Sequence, residues 1–275
     1  MDAVRALELL GAYTAGQWGM VTTRQALFVG VDDVTLHRLK TANLIEPVRH
    51  GVHAMTSSTA SPARPEQAVW LSLRPATAAW ERPKLDLDGG VVSHQSAARL
   101  HGLGDLPGTH VEMTVPRRRT MRDPGVRLHR ADLRDSDVTV LDGLPLTTPS
   151  RTIRDLLHRH IDASHIATII RQAVEAGQVR LQDLPDQIGQ YAHSYGAKRG
   201  NGSDLLDHLL GHLGLSIRDI SVPTSWQELG RSTWSNLEKM PVTWGQLSRI
   251  SPEIAQRLLR RESGQEPPFE PNDES

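Results

Sequence analysis

The 275-residue chain has no cysteine, which excludes a disulfide framework and any thiolate metal site. Charge of one sign is also missing: the formal net charge is −1, so the chain carries no general basic coat for nucleic acid, and any such contact must come from a local patch. Lysine is scarce, since of 31 basic residues only Lys40, Lys84, Lys198 and Lys239 are lysine. This arginine bias points to a GC-rich coding sequence and carries no functional information. No apolar run reaches the roughly eighteen residues of a membrane-spanning helix, and no signal peptide is recognisable, so the expected location is the cytoplasm. The hydrophobic content, 38%, is enough for a modest globular core, and the length suits two domains.

The most organised stretch runs from Gly19 to Met55. Thr22 is followed three residues later by Gln25, a capping box that opens a short helix with Ala26 and Leu27 on its buried side. Leu27, Phe28 and Val29 run into Gly30, which suits a tight inter-helix turn, and Val31 closes it. Asp32 is a good N-cap and Asp33 sits at the positive end of the helix dipole, so a second helix is expected from about Asp33 to Ala42. Its core residues are Leu36 and Leu39, which turns Thr35, Arg38 and Thr41 away from the core and puts His37 and Lys40 on the flanks. Two extended runs, Leu44 to Val48 and Val52 to Met55, then flank Arg49-His50-Gly51 as a hairpin with a basic tip.

That order predicts a helix-turn-helix with a wing, the usual device for laying a helix in the major groove. The expected contacts are Thr22, Thr23 and Arg24 at the start of the first helix, Thr35, His37, Arg38, Lys40 and Thr41 on the second, and Arg49 and His50 at the wing. Arg38 suits guanine or a phosphate and Thr35 a thymine methyl or a phosphate, while the wing residues would meet backbone beside the groove. The same fold also serves as a protein–protein module. Five basic residues in the first 55 (Arg5, Arg24, Arg38, Lys40, Arg49) are matched by five acidic ones, so the segment is neutral and phosphate affinity does not follow from its overall field.

Upstream, Val4, Leu7, Leu10 and Tyr13 recur at helical spacing and predict a helix packed across this pair. Residues 56–65, rich in Ser, Thr, Ala and Pro, predict a linker. A mixed α/β portion follows. Glu66 to Leu73 reads as a helix, and Val91 to Leu103 as a short extended entry, a Ser-capped helix and a glycine stop. Val111–Val115 and Val126–His129 alternate as strands, and Val138–Leu141 pairs with Leu144–Thr147 through the strong hairpin signal Asp142-Gly143. Helices resume with Ile153, Leu156 and Leu157, then Ile166, Ile169, Ile170 and Val174, then Leu205, Leu206, Leu209 and Leu210. Between two of the strands, Arg117, Arg118, Arg119, Arg122, Arg127 and Arg130 face Asp123 alone; a basic hairpin loop of this kind is a phosphate contact or a merely solvated loop. It has no interleaved aromatics, which disfavours single-strand stacking.

The last sixty residues repeat a unit of hydroxyl residue, Trp, two others and Leu, around Trp226, Trp234 and Trp244. Trp and Leu three apart share a helix face, so these tryptophans are anchors for a partner or for the chain's own core. Residues from Gly264 on, rich in proline and acids, are expected to be disordered. The expected organisation is α+β: a winged helix-turn-helix over 1–57, a mixed α/β domain with a small, mostly antiparallel sheet over 65–215, a Trp-rich helical arm over 216–262 and an acidic tail over 263–275.

The chain carries no complete catalytic or cofactor signature. His208 and His212 share a helix face, but no glutamate lies between them and no third ligand is evident. No Gly-rich phosphate loop or nucleophile elbow occurs, and no cofactor is expected. Adjacent Ser93 and His94 are not expected to form a nucleophile–base pair; helix capping is the expected role of Ser93 or Ser96.

The sequence resembles the AbiEi-family antitoxins, partners of nucleotidyltransferase-like toxins in type IV toxin-antitoxin systems. The matching features are Val21 to Ala26 with Arg49 to His53, then Ser93-His94-Gln95-Ser96-Ala97-Ala98 with Gly102-Leu103, Thr114 to Arg118, Leu128 to Leu133, Gly143 to Thr152, Asp155-Leu156, and the Ala173 to Gly214 segment; together they cover about residues 1 to 215. Related chains often continue into an endonuclease-like domain. After Gly214 this one shows no Asp with Glu-x-Lys arrangement, and the Trp-rich arm has no counterpart. The resemblance implies a non-enzymatic repressor of its own operon that binds inverted repeats in double-stranded DNA, as a dimer if two-fold symmetry is matched, and neutralises its toxin directly or indirectly. Two alternatives stay open: a nucleic-acid-processing enzyme tethered by the winged helix, and a regulator or adaptor unrelated to a toxin.

Overall fold

In a computed structural model of the chain, residues 1–105, 108–217 and 219–220 are described. Nearly all of the 216–262 arm, with Trp226, Trp234 and Trp244, and the 263–275 tail lie outside the described residues. No helix among the described residues is long and apolar enough to cross a membrane. The architecture is α+β, with two small sheets and helices around them.

Helix α1 (Ala3–Thr14) starts at Asp2, whose side chain accepts from the Arg5 N–H at 2.8 Å. Its buried line is Ala6, Leu10 and Thr14, and Val4 is 69% exposed, so the stripe expected through Val4 is rotated. The small Ala6 side chain lets α1 approach the core of Val21, Ala26, Val31, Leu36 and Leu39 closely. A three-residue strand, β1 (Met20–Thr22), precedes helix α2 (Thr23–Phe28); it is too short to show a period in sequence. The Thr22–Gln25 capping box is present in both directions. Leu27, expected inside, is 46% exposed, and Ala26 alone fills the core side of that turn.

Gly30 takes a left-handed φ of 86° at the turn, and helix α3 (Asp33–Thr41) begins at an Asp32 cap that accepts from the Thr35 N–H at 2.7 Å. Strands β2 (Ile45–Arg49) and β3 (Val52–Met55) form the expected hairpin, and β1 adds to it in the order β1-β3-β2, antiparallel throughout.

Helix α4 (Arg64–Leu73) buries almost every residue from Glu66 to Leu73. The second sheet is built from β4 (Val91–Val92), β5 (Val111–Val115), β6 (Val126–Arg130), β7 (Val138–Leu141) and β8 (Leu144–Thr147), with helix α5 (His94–Leu100) between the first two strands. Its order is β6-β5-β4-β8-β7. The expected Asp142-Gly143 turn closes β7 onto β8 with positive φ at both residues, 49° and 79°, as a type I′ turn requires. The sheet is mixed, however, not mostly antiparallel: β4–β8 and β5–β6 are parallel. The Arg-rich segment is therefore no hairpin loop. Because Val111 pairs with Val126, residues 116–125 must travel back the full length of β5 before β6 begins.

Helices α6 (Pro149–His158), α7 (Ala163–Glu175), α8 (Leu184–Ile188) and α9 (Gly202–Gly211) bury their leucines and isoleucines in a separate helical core. The composition break at 56–65 marks an exposed connection and not a break in packing. Met20, Val52 and Ala54 of the N-terminal sheet share one apolar cluster with Trp70, Met113, Leu144 and Leu146, and Met1–Val222 form one compact unit.

The junction is fastened by two buried amides. Gln17 and Gln25, both fully buried, exchange hydrogen bonds of 2.9 and 3.0 Å, head to tail. The second proton of each goes to a carbonyl, Met20 for Gln17 and Thr77 for Gln25, both at 3.1 Å. The second lone pair of each accepts a backbone N–H, from Ala79 at 2.9 Å and from Thr22 at 3.0 Å. Each amide thus makes every bond available to it. Replacing Gln25 with leucine strands the Thr22 N–H and one donor of the facing amide, whereas the Thr77 carbonyl keeps the Arg82 guanidinium. At ~1–3 kcal/mol for a stranded buried group, partly relieved by relaxation, we expect a loss of roughly 2–4 kcal/mol in urea unfolding, and a smaller combined loss than additivity gives in Gln17→Leu/Gln25→Leu. An additive double variant would show the two amides to be independent.

Candidate nucleic-acid interface

On α3 the core stripe is Thr35, Leu36 and Leu39. At 3.6 residues per turn Leu39 lies about 40° from position 35, between Thr35 and Leu36, so a face centred on Leu39 takes Thr35 with it. Thr35, expected to point outward, is only 3% exposed and contributes its backbone N–H to the Asp32 cap. The outward face consists of Val34, His37, Arg38 and Thr41, with Lys40 half-buried at its edge. Thr41 spends its hydroxyl on the His37 carbonyl at 3.0 Å. Neither Arg38 nor His37 has a side-chain partner among the described residues.

At the start of α2 the three expected contacts separate. Thr22 is fully buried, with its hydroxyl donating to the Pro75 carbonyl, and is a structural residue. Thr23 is half-buried and lies 3.0 Å from His53 Nε2. Arg24 is exposed. The His53 imidazole is buried; desolvation first, and the nearby Lys40 and His50 next, push its pKa down to about 4, so it is neutral near pH 7.

The wing tip departs most from expectation. His50 is exposed, but Arg49 turns back to form an ion pair with Asp123 at 3.2 Å, its side chain 12% exposed. Desolvation lowers the Arg49 pKa and the Asp123 charge offsets part of that. Arg49 therefore acts as a strut and not as an exposed phosphate contact. The consequence is that the Arg-rich crossover is tied to the β2–β3 hairpin: Asp123, the one acidic residue among its arginines, is the residue that makes the tie. Asp123 also shapes the end of the loop, its other oxygen accepting the Gly125 N–H at 2.8 Å. Arg117, Arg118, Arg119 and Arg122 are all exposed. Arg117 and Arg119 lean on Asp88, through its carboxylate at 3.6 Å and its carbonyl, whereas Arg118 and Arg122 have no partner among the described residues. Two segments that sequence alone treats separately, the hairpin tip and the basic loop, meet through one ion pair 74 residues apart in the chain.

A second polar assembly, not anticipated, lies beneath β5 and β6. His94 adopts a left-handed φ of 53°, which bends its ring back so that Nδ1 lies 2.9 Å from the hydroxyl of the preceding Ser93. Ser93 in turn accepts from Thr114 Oγ1 at 2.9 Å. Ser93 occupies the N-cap position of α5 but makes no capping bond, contrary to expectation; the Gln95 N–H is taken by the Glu112 carboxylate at 2.9 Å. Ser96 accepts the Glu112 N–H at 3.0 Å. The His94 ring stacks on His129 at 3.7 Å, and His129 Nε2 lies 3.3 Å from Glu112.

Adjacent Ser93 and His94 thus do meet, yet Ser93 is fully buried and His94 is 5% exposed, so the pair has no surface from which to attack a substrate. Desolvation, helped by His129, takes the His94 pKa down to about 3. Burial raises the Glu112 carboxyl, but the bonds from His129 and the Gln95 N–H outweigh it and its pKa falls on balance. The signal for this assembly was the polar pattern in Ser93 to Ser96 and the polar pair Glu112 and Thr114 alternating with the apolar residues of β5. Elsewhere, His208 and His212 meet edge to face at 5.2 Å, and no cluster of three or more metal-ligating groups occurs among the described residues.

Against known proteins, the chain matches no family model and no curated sequence.

The two buried histidines set a pH dependence. Their folded pKa values lie below the unfolded value of 6.5, so below that pH the unfolded chain binds more protons and stability falls. Stability should be full above pH 6.5 and decline as pH drops toward 4 for His53 and 3 for His94. Between pH 6.5 and 5, above the range in which Glu112 titrates, a Tm profile of His94→Gln should be shallower than that of the parent. Parallel profiles would mean that His94 is not the proton acceptor.

Proposed function

We propose that the chain is a DNA-binding antitoxin and autorepressor of the AbiEi type, in which α2, α3 and the β2–β3 hairpin act as a winged helix-turn-helix. Helix α3 enters the major groove, with Arg38 and His37 at base edges and Thr41 and Lys40 toward the backbone. Val34 on the same face suits a thymine methyl. The observation that carries this reading is the Arg49–Asp123 pair, which ties the hairpin tip to the loop that carries Arg118 and, next to Asp123 in the chain, Arg122. A neutral N-terminal segment lacks the field to hold a duplex, and the loop supplies the cations that it lacks. The partner is double-stranded DNA with inverted repeats, bound by a dimer; the toxin half of the proposal, a nucleotidyltransferase-like partner, rests on the order of motifs from Ser93 to Asp155.

Mobility-shift titration against the DNA upstream of the chain's own gene tests both parts of the surface. Arg38→Ala should weaken specific binding by ~1–3 kcal/mol, or about five- to 150-fold, and relax preference at one base position. Arg118→Ala/Arg122→Ala should weaken binding to all duplexes alike and reduce the log-log salt slope by about one for each phosphate no longer neutralised. Arg49→Ala should act like the loop variant, by releasing the loop. Operator binding unchanged in Arg38→Ala and in the loop variant together would remove the DNA reading. The antitoxin reading expects a nucleotidyltransferase-like gene beside this one; co-expression with it is the test, and absence of such a gene, or growth arrest unrelieved by this chain, counts against the reading.

A further inference from the structure

Between Gly16–Trp18, the 79–84 segment and the Asp142–Gly143 turn lies a cavity of about 290 Å³ walled by Trp18, Trp70 and Trp80. Each indole is held in place by a hydrogen bond or a packed neighbour. Trp18 donates to the Asp142 carbonyl at 2.7 Å and Trp70 to the Gly90 carbonyl at 2.9 Å, and their rings meet edge to face at 5.9 Å. Trp80 stacks on Tyr13 at 5.8 Å and is backed by Gly16, where a Cβ would come within 2.8 Å of the indole. So placed, Trp80 remains 57% exposed, a large aromatic face fixed in position but not covered by the fold.

The cations at this cavity are Arg82 and Lys84 and the carboxylate is Asp142. Arg82 is 8% exposed, and its terminal nitrogens donate to the carbonyls of Trp70, Leu71, Arg74 and Thr77. No carboxylate pairs with it among the described residues, and its Nε has no hydrogen-bond partner. The guanidinium also lies 4.2 Å over the Trp70 ring, and Asp86 acts on it at longer range, so its charge is met by carbonyls and a π face without a paired carboxylate and adds positive potential to this wall of the cavity. Lys84 lies on the same wall; its half-buried ammonium pairs at 2.9 Å with Asp135, whose side chain is 79% exposed, and donates over longer distances to the carbonyls of Asp135 and Val138 at 3.3 and 3.4 Å, so an incoming anion competes with one water-screened carboxylate and two long hydrogen bonds. Two cations against one carboxylate disfavour a cationic ligand, and the tryptophans disfavour a small hydrated ion.

We propose that this cavity binds a planar aromatic ring bearing one acidic group, the ring against Trp80 and the Trp18–Trp70 edge, the carboxylate or phosphate toward Lys84 and Arg82. The volume lies at the small end for ligand sites, which limits the ligand to one or two fused rings and a short substituent. The proposal does not depend on DNA binding, since its residues are separate from those of α3 and the loop.

Isothermal titration of the full chain with two probes, salicylate and adenosine 5′-monophosphate, tests it, with phenol, adenosine and inorganic phosphate as partners lacking the charge or the ring. We expect saturable binding of at least one acidic probe, about tenfold or more tighter than its uncharged partner and than phosphate, and a further loss of roughly tenfold in Trp80→Ala and in Lys84→Ala. Salicylate alone assigns a carboxylate ligand, and the monophosphate alone assigns a nucleotide. Both altered side chains are partly exposed; should Trp80→Ala lose its native circular dichroism, Lys84→Ala decides. No saturable binding of either acidic probe at millimolar concentration overturns the proposal, as does equal binding of the uncharged partners or affinity unchanged in the folded variants.

Discussion

The amide pair Gln17–Gln25 is the constraint on which the rest of the described structure depends. Two glutamines are buried at a point where three chain segments meet, and burial of an amide is unfavourable unless its donors and acceptors are all used. Here they are used, and the partners are spread across the fold: the cap of α2, the turn before β1, and the 77–79 segment after α4. The Thr77 carbonyl accepts from Gln25 and from the Arg82 guanidinium alike, so the amide pair and the buried arginine form one connected polar network. Because a partly satisfied buried network costs more than a complete one, it favours one angle between the N-terminal helices and the segment after α4.

That angle decides what the hairpin tip meets. The β2–β3 turn projects toward the crossover between β5 and β6, and Arg49 and Asp123 come together there. On the proposed reading this matters because the N-terminal segment and the loop divide the work of holding a duplex. On that proposal α3 presents Arg38 and His37 to the bases from a segment that is neutral overall, and the loop supplies surplus charge without a regular element to read bases. A parallel β5–β6 pairing is what brings the loop back alongside the strand, whereas an antiparallel hairpin would have left it at the far end.

The Ser93–His94–Glu112–His129 assembly illustrates a similar economy of structure. A strand residue, Glu112, caps a helix whose own N-cap serine is engaged elsewhere, and the strained backbone of His94 is maintained by the stack on His129 and the hydroxyl relay from Thr114. Their burial assigns these residues to holding α5 against the sheet.

Local elements were readable from the sequence because their causes are local. The Thr22–Gln25 box, the Gly30 turn, the Asp32 cap, the Asp142-Gly143 hairpin and the leucine and isoleucine stripes of α6, α7 and α9 each depend on neighbours within a few residues, and each stands where the pattern placed it. What tertiary structure decided are the matters of partner. Thr35 is buried because α3 turns its Leu39-centred face inward, Arg49 is spent because Asp123 lies across from it, β5 and β6 are parallel because the crossover runs back, and across residues 56–65 Met20, Val52 and Ala54 pack into the cluster of Trp70 and Met113. Period and capping follow from short-range sterics and hydrogen bonding along the chain, whereas which side chains stay free for a partner follows from contacts between residues far apart in sequence, and no local pattern encodes those.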